Sequence, residues 1–242
     1  MTGLGTATAI KRVLVTRPEP AALQTAAKLT DAGFEPVLLP LSRTVPLGFS
    51  VPDARFDALT VTSANAFRHA GHALPHRDMP LFAVGEGTAR AAREAGFTDV
   101  IDGGGDAVRL AETMRKALPQ GARVLYLAGR VRQPVFEERV SVAGLDMTVC
   151  DVYDIETIDY SRSELERLLG PQPLAAVMLY SGVAAEAFAA AMDRIDPPFN
   201  DKTRFLCIST RVAEKLPSNW QRHALVAEQP DETGLFRLFP KL

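Results

Sequence analysis

At 242 residues, with 47% hydrophobic and 23% charged side chains, the chain is long enough to bury one or two cores of ordinary domain size. A formal net charge of −2 excludes the clustered cationic excess with which proteins grip nucleic acid. The opening MTGLGTATAI has neither a basic start nor a long apolar run, so no signal peptide or membrane span is expected. Residues 1–9 read as a disordered lead-in, and the cytoplasm is the expected compartment.

In chain order, RVLVT (Arg12 to Thr16), EPVLLPL, ALTVTS, LFAVG, DVID, RVLYLAG, MTVCDVY, AAVMLYS, RFLCIS and ALVAE are short apolar, β-branched runs. Nearly every one passes through turn residues into a helical period. That alternation predicts parallel sheets with helices on both faces, ten strands dividing as five per domain. Capping chemistry punctuates the helices: Ser63 and Ser181 close strands, Asp106 and Asp231 open the last helix of each half, and Ser161 precedes SELERLLG. Gly33, Gly96 and Gly144 stand where a left-handed cap ends a helix. The only cysteines, Cys150 and Cys207, lie inside apolar runs and read as buried free thiols.

The chain also repeats itself. RVLVTRPEPAALQTAAKLTDAGFEPVLL, from Arg12, is echoed by RVLYLAGRVRQPVFEERVSVAGLDMTVC, from Arg123, with Arg12 to Arg123 and Gly33 to Gly144 both a shift of 111. ALTVTSANAF reappears as AVMLYSGVAAEAF, and LFAVGEGTARAA as FLCISTRVAEKL; DAVRL at Asp106 is matched by DETGL at Asp231. Such a period is too long for a solenoid, whose units run roughly 20–50 residues, and points to duplication of a whole domain. Two similar domains predict a cleft.

Two stretches break the rhythm, SRTVPLGFSVPD (Ser42 to Asp53) and DIETIDYS (Asp154 to Ser161), extended and without helical period. The repeat alone allows two parses, sequential halves or one domain inserted into the other. The positions of the irregular stretches favour insertion, since only the tight PQGA turn lies near Pro119. The expected domains are residues 10–41 with 160–240, and residues 48–151, with 42–47 and 152–159 as paired linkers.

The order and spacing of VLVTRP, DALTVTSANA, AVGEGTARAA, DGGGDAVRLAE, RVLYLAGRVR, AGLDMTVCDVY and LYSGVAAEAF resemble the uroporphyrinogen-III synthase family over nearly the whole chain, from Arg12 to about Leu238. The resemblance implies two flavodoxin-like α/β domains joined by a two-strand hinge, the first discontinuous. It implies a cofactor-free cyclase whose substrate is hydroxymethylbilane, an open chain of four pyrroles bearing eight carboxylates. Loss of the ring A hydroxyl leaves an azafulvene; ring D attacks through its substituted α-carbon, and the spiro intermediate fragments and recloses with ring D inverted. Such a reaction asks mainly for geometry, which a closing cleft supplies, with acid help in expelling hydroxide.

Site residues follow. By the resemblance, Tyr153, at the end of MTVCDVY, faces the cleft and protonates or hydrogen-bonds the departing hydroxyl; the plain alternative is a tyrosine packing between domains. Thr62 and Ser63, with Tyr180 and Ser181 in the second copy, end strands where helix-opening N–H groups welcome carboxylates, and Ser also simply caps helices. Gly85 and Thr88 repeat that placement, as do Ser209 and Thr210. Arg17, Arg130, Arg132 and Arg211 follow strands, where open α/β sheets bind ligands, and read together as carboxylate clamps. Gly103, Gly104 and Gly105 lack dinucleotide or P-loop spacing and read as a permissive turn. His69, His72 and His76 offer superficial metal spacing, but Pro75 interrupts them and no further ligand joins, so no metal is expected. Ser209 and Val212 stand where the family carries Gly and Thr, while Thr88 keeps that Thr in the other copy. The expected partner is the small-molecule substrate alone, with no nucleic acid or membrane, and the protein is expected to be monomeric. The rival reading is a non-catalytic tetrapyrrole-binding or regulatory module on the same scaffold.

Overall fold

The computed structural model describes residues 10–70, 74 and 77–242, apart from the Lys241 side chain. The lead-in at 1–9 and the readings of His72, Pro75 and His76 lie outside the described residues. The strands in chain order are β1 (Arg12–Val15), β2 (Glu35–Leu38), β3 (Ser42–Pro46), β4 (Ala58–Val61), β5 (Leu81–Ala83) and β6 (Val100–Asp102). They continue with β7 (Arg123–Gly129), β8 (Asp146–Thr157), β9 (Leu174–Leu179), β10 (Arg204–Cys207) and β11 (Ala224–Val226). The helices are α1 (Ala21–Asp31), α2 (Asn65–Ala70), α3 (Glu86–Glu94), α4 (Ala107–Ala117), α5 (Val135–Val142) and α6 (Arg162–Leu169). After them come α7 (Gly182–Met192), α8 (Thr210–Ala213), α9 (Ser218–Gln221) and α10 (Glu232–Phe236). No helix among the described residues is long and apolar enough to cross a membrane.

Two compact units emerge, one built from residues up to Arg43 with Thr157–Leu242, the other from Thr44–Glu156. The first holds a sheet in the order β11-β10-β9-β1-β2, every neighbouring pair parallel. Counted along the chain, that is the 2-1-3-4-5 order of flavodoxin-like sheets. The second sheet runs β3-β8-β7-β4-β5-β6. Its five parallel strands have the same order if counting starts at β7, so the second unit is a circular permutant of the first. The sequence repeats map onto this correspondence: Arg12 opens β1 and Arg123 opens β7, while Ser63 follows β4 and Ser181 follows β9.

All ten anticipated strands are present. An eleventh, β3, occupies the stretch read as a linker. Leu47 N donates to Val152 O at 3.0 Å and Ile158 N to Leu41 O at 3.0 Å, so the partners run in opposite directions and β3 lies antiparallel to β8. The two passages of the chain between units, at 43–44 and 156–157, both fall in this ladder.

Each sheet is covered on both faces, which is why β4 (ALTV) and β9 (LAAVML) read as unbroken apolar runs. In the first unit Val13 and Val15 pack with Ala22, Leu29 and Met178 on one face. Leu14, between them, turns to Val177, Leu179, Phe188 and Phe205 on the other. In the second, Leu59, Val61 and Leu127 meet Ala66 and Ala89 of α2 and α3. Val124, Tyr126 and Ala128 meet Leu110, Met114 and Phe136 of α4 and α5. Full burial of each such aliphatic side chain is worth about 1.5–3 kcal/mol.

The helix ends obey the chemistry read from the sequence. Gly33, Gly96 and Gly144 have φ of 83°, 93° and 75°. In each case the glycine N–H and the next residue's N–H bond back into the last turn, as in Phe34 N to Leu29 O and Phe97 N to Ala92 O, closing a Schellman motif over an apolar residue. Ser161 and Glu164 form a reciprocal capping box, and Asp106, Ser181 and Asp231 each accept a backbone N–H from their helix.

Candidate functional site

Because the strands within each unit's main sheet are parallel, their C-terminal ends share one edge, and the anticipated site residues collect there. In the first unit Arg17 follows β1, Tyr180 and Ser181 follow β9, and Ser209, Thr210 and Arg211 follow β10. Strands β1 and β9 flank the point where strand order reverses, the crevice in which open α/β sheets take ligands. In the second unit the reversal lies between β7 and β4, flanked by Arg130 and Arg132 on one side and Thr62 and Ser63 on the other.

The first unit's edge is an ionic cluster. Arg17 Nη1 donates to Glu232 Oε1 at 3.0 Å, and its guanidinium lies 4.5 Å over the Tyr180 ring. Thr25 Oγ1 and Lys28 Nζ donate to the same carboxylate. Burial alone would raise the Glu232 pKa; hydrogen bonds from Lys28 and Thr25, with the charges of Lys28 and Arg17, outweigh it and hold the group below its ordinary value. Burial pushes the Tyr180 hydroxyl up, opposed by Thr25 and Arg17. Ser181 Oγ accepts from Ala184 N at 3.1 Å and so serves as an N-cap. Ser209 occupies the corresponding N-cap of α8 without a side-chain bond, while Thr210 and Arg211 are exposed.

The second unit's edge is built around tyrosines. Tyr126 and Thr62 share a hydroxyl–hydroxyl bond of 2.6 Å, and burial raises the Tyr126 pKa. Arg132 is held three ways, donating to Glu137 Oε1 at 2.5 Å, Asp151 Oδ1 at 2.6 Å and Gly129 O at 2.8 Å. Arg130 pairs with Asp154 at 3.0 Å. Ser63 Oγ accepts from Asn65 N at 3.2 Å. Gly85 precedes α3 in extended conformation, and Thr88 on that helix is buried.

Tyr153 stands opposite Gly129, the last residue of β7. Its ring lies so close over Gly129 that a Cβ there would meet Tyr153 Cζ at 2.5 Å. The His69 ring sits 5.7 Å from the Tyr153 ring, and His69 Nε2 is bonded to Thr44 Oγ1 at 2.7 Å. No hydrogen bond of the Tyr153 hydroxyl is formed among the described residues, whereas Tyr126 and Tyr160 have theirs, to Thr62 and to Pro40 O.

Four residues at these edges escaped the sequence reading. His69 read only as a helix end, Gly129 and Tyr126 as strand residues of RVLYLAG, and Glu232 as the second residue of a helix start. A glycine closing an otherwise bulky strand was the one available signal. The glycine triplet is a backbone device: Gly104 and Gly105 have φ of 85° and 100°, and a Cβ on Gly103 would meet Leu110 Cδ1 at 2.6 Å. Cys150 and Cys207 are both buried and free, the Cys207 thiol pushed up to about 12 by burial. Among the described residues no group of three or more His, Cys, Asp or Glu is placed to hold a metal ion. A broad open cavity of about 860 Å³, lined by Val51, Asp53, Phe56, Asp57 and Met79, lies at the opposite edge of the second sheet, before β4 and β5, away from these groups.

The family model described as uroporphyrinogen-III synthase HemD matches residues 24–237. Among solved structures, a uroporphyrinogen-III synthetase from Helicobacter pylori is similar at 18% identity and TM-score 0.67, covering 96% of this chain and 99% of that one. A mutant uroporphyrinogen III synthase from Thermus thermophilus matches at 19% identity and TM-score 0.48, covering 96% and 98%. No curated protein matches. A duplicated, permuted pair of flavodoxin-like sheets with polar groups gathered at the strand ends, matched over nearly its whole length by one family, places the chain in the uroporphyrinogen-III synthase family, as an enzyme of that kind.

Proposed function

We propose that the chain converts hydroxymethylbilane to uroporphyrinogen III, with Tyr153 as the proton donor and strand-end arginines and helix-opening N–H groups binding substrate carboxylates. The observation that carries this reading is the Tyr153 phenol at the C-terminal edge of β7, its ring held and its hydroxyl unengaged by any described residue. No buried side-chain N or O among the described residues lacks a partner, so the Tyr153 hydroxyl, which bonds no described residue, is open to solvent and to a group that arrives with the substrate.

In the proposed sequence the ring A hydroxymethyl C–O bond breaks as the pyrrole nitrogen pushes in its lone pair, and the phenol supplies the proton with which hydroxide leaves as water. Ring D attacks the resulting azafulvene through its substituted α-carbon. The spiro intermediate opens, and reclosure at the free α-carbon releases a proton as the pyrrole regains aromaticity. That proton restores the phenol, so the net change is loss of one water. General-acid help of this sort is worth about 10²–10⁴-fold.

Carboxylates of the substrate find complementary charge at Arg17, Arg130, Arg132 and Arg211, and N–H groups at the strand–helix junctions of Ser63, Gly85, Ser181 and Ser209. Arg17 and Arg132 already carry protein carboxylates, so substrate engages them by sharing or exchange; Arg211 is the most open. The same reading makes the protein a cytoplasmic monomer.

The test is to supply purified protein with hydroxymethylbilane and determine the ratio of type III to type I uroporphyrinogen. Predominance of type III is expected. Type I alone, the product of spontaneous closure, would leave the chain as a member of the family without the activity.

A further inference from the structure

Three departures from regular geometry converge on one side chain. The register of β7 against β8 slips between Ala128, opposite Asp151, and Gly129, opposite Tyr153, so Val152 is an extra residue in β8. Strand alternation would send Tyr153 to the face opposite Val152, yet both are buried in the same core cluster, Val152 fully and Tyr153 at 7% exposure. A bulge therefore re-aims the tyrosine, the use to which bulges beside active sites are commonly put. Turned this way, the phenol lies flat over Gly129, where a Cβ would come within 2.7 Å of Cε2 and 2.8 Å of the hydroxyl oxygen. Gly129 has ordinary strand geometry rather than a positive φ, so its lack of a side chain answers the phenol, not the backbone.

On the ring's other neighbour, His69 of α2 lies at 5.7 Å between centroids with the planes 30° apart. The imidazole is not free to swing, since Nε2 is bonded to Thr44 Oγ1 of β3, the strand beside β8. Burial first, and the neighbouring Arg68 second, lower the His69 pKa, so the ring is neutral at pH 7 and packs against the phenol uncharged.

We infer that the bulge at Val152, the bare Cα of Gly129 and the Thr44-anchored ring of His69 form a slot that fixes the Tyr153 hydroxyl, making Gly129 and His69 positioning residues for the cyclisation. The inference rests on Tyr153 being the proton donor. Held on two sides, the phenol keeps only the freedom to rotate its O–H toward the substrate, and displacing a donor by about 1 Å can cost about 100-fold in rate.

The experiment is a set of kinetic cycles with hydroxymethylbilane, using Gly129→Ala, His69→Ala and His69→Phe, each alone and combined with Tyr153→Phe. A misplacement near 1 Å is worth up to about 100-fold, so Gly129→Ala should lower kcat by about that factor and His69→Ala by about 10-fold, with KM within about 2-fold of the parent. His69→Phe, which keeps a ring against the phenol, should recover most of the His69→Ala loss. In the Tyr153→Phe background the same changes should move kcat by less than about 2-fold, because there is no longer a donor to position. Should Gly129→Ala fail to fold, the half-buried His69 at the end of a six-residue helix carries the cycle alone. Losses that add in the double variants, or that appear in KM, overturn the slot while leaving Tyr153 as donor. A Tyr153→Phe enzyme with parental kcat removes the donor, and the slot with it.

Discussion

The two units carry the same strand order and the same clustering of polar groups at one sheet edge, yet they equip that edge differently. In the first unit charge is answered within the protein: Arg17, Lys28 and Thr25 converge on Glu232, and Tyr180 lies beneath the Arg17 guanidinium. In the second the ion pairs of Arg130 and Arg132 flank a tyrosine whose ring is gripped while its hydroxyl has no partner among the described residues. Duplication supplied two edges of the same topology with different side chains. On the proposed reading, the ion-paired, hydrogen-bonded edge of the first unit suits holding a substrate, and the edge with an unengaged phenol suits reacting with it.

The sharpest way to break that comparison is to make one change in both places. Tyr153→Phe deletes the unengaged hydroxyl and should lower kcat by about 100- to 1,000-fold with KM little altered, the lower end of the range general-acid assistance spans. Tyr180→Phe keeps the ring beneath Arg17 and hence most of a cation–π contact worth about 0.5–2 kcal/mol, so its kcat should stay within about 3-fold. Steady-state rates for the two proteins decide the matter. A slow Tyr180→Phe beside an unimpaired Tyr153→Phe would move the reactive edge to the first unit.

That prediction also marks how far the sequence can be read. The layered α/β architecture, the duplication and the helix ends are legible because they depend on local patterns: apolar runs, a repeated Gly after each helix, Ser or Asp before the next. The grouping of Arg17, Tyr180 and Ser181, or of Thr62, Ser63 and Arg132, is legible at one remove, since parallel strands must bring their C-terminal ends to one edge. Partners are not legible. Nothing near Arg132 announces that Asp151, 19 residues on, shares its guanidinium, or that Glu232 in the tail captures Arg17 near the start. The bulge is invisible for another reason: an inserted Val152 leaves MTVCDVY looking like unbroken strand, and only the ladder against β7 reveals the slip. Ser42–Pro46 read as one of two extended linkers lying side by side, and it forms a strand because β8 extends far enough to pair with it.

The ionic cluster offers a second handle. Glu232→Gln keeps shape and some hydrogen bonding while removing the charge that Arg17 and Lys28 face, and charge-assisted bonds of this type contribute about 1.5–3 kcal/mol, so a loss of about 2 kcal/mol in unfolding free energy is expected by denaturant titration. The pH dependence carries a definite sign. Since the folded Glu232 pKa lies below the ordinary 4.5, its stabilisation is present above that value and is lost as pH falls through the folded one. The Gln variant should therefore lose less stability than the parent on acidification below about 4.5; parallel acid curves would mean the cluster contributes nothing.

The arginines divide the edge further. Arg211 is exposed and makes no ion pair among the described residues, so Arg211→Ala should raise KM by about 5-fold, if it holds a carboxylate, without touching kcat or the melting temperature. Arg17→Ala strips the cluster as well and should lower both substrate affinity and Tm. An Arg211→Ala protein with unchanged KM returns that residue to the solvent.

The smallest expected effect compares the two helix starts that differ between the copies. Gly85 and Ser209 both lie at N-caps in extended conformation, with φ of −172° and −158°, so backbone freedom does not explain the glycine. Space does. A Cβ on Gly85 would approach Gly105 Cα at 3.2 Å, and Gly105, itself at a φ of 100°, is tied by its N–H to Val84 O at 2.7 Å and cannot readily give way. Overpacking of this kind costs about 1–3 kcal/mol, so Gly85→Ala should lower stability near the bottom of that range. Ser209 uses no side-chain cap bond, and replacing an N-cap serine by glycine costs only a few tenths of a kcal/mol. For a chain of this size 1 kcal/mol shifts Tm by about 2–4 °C, so Gly85→Ala should melt a few degrees below the parent while Ser209→Gly stays within about 1 °C. Equal shifts would mean that the Gly85–Gly105 approach is relieved elsewhere, and that Ser209 stands in the second copy by drift rather than because the glycine's neighbour is missing there.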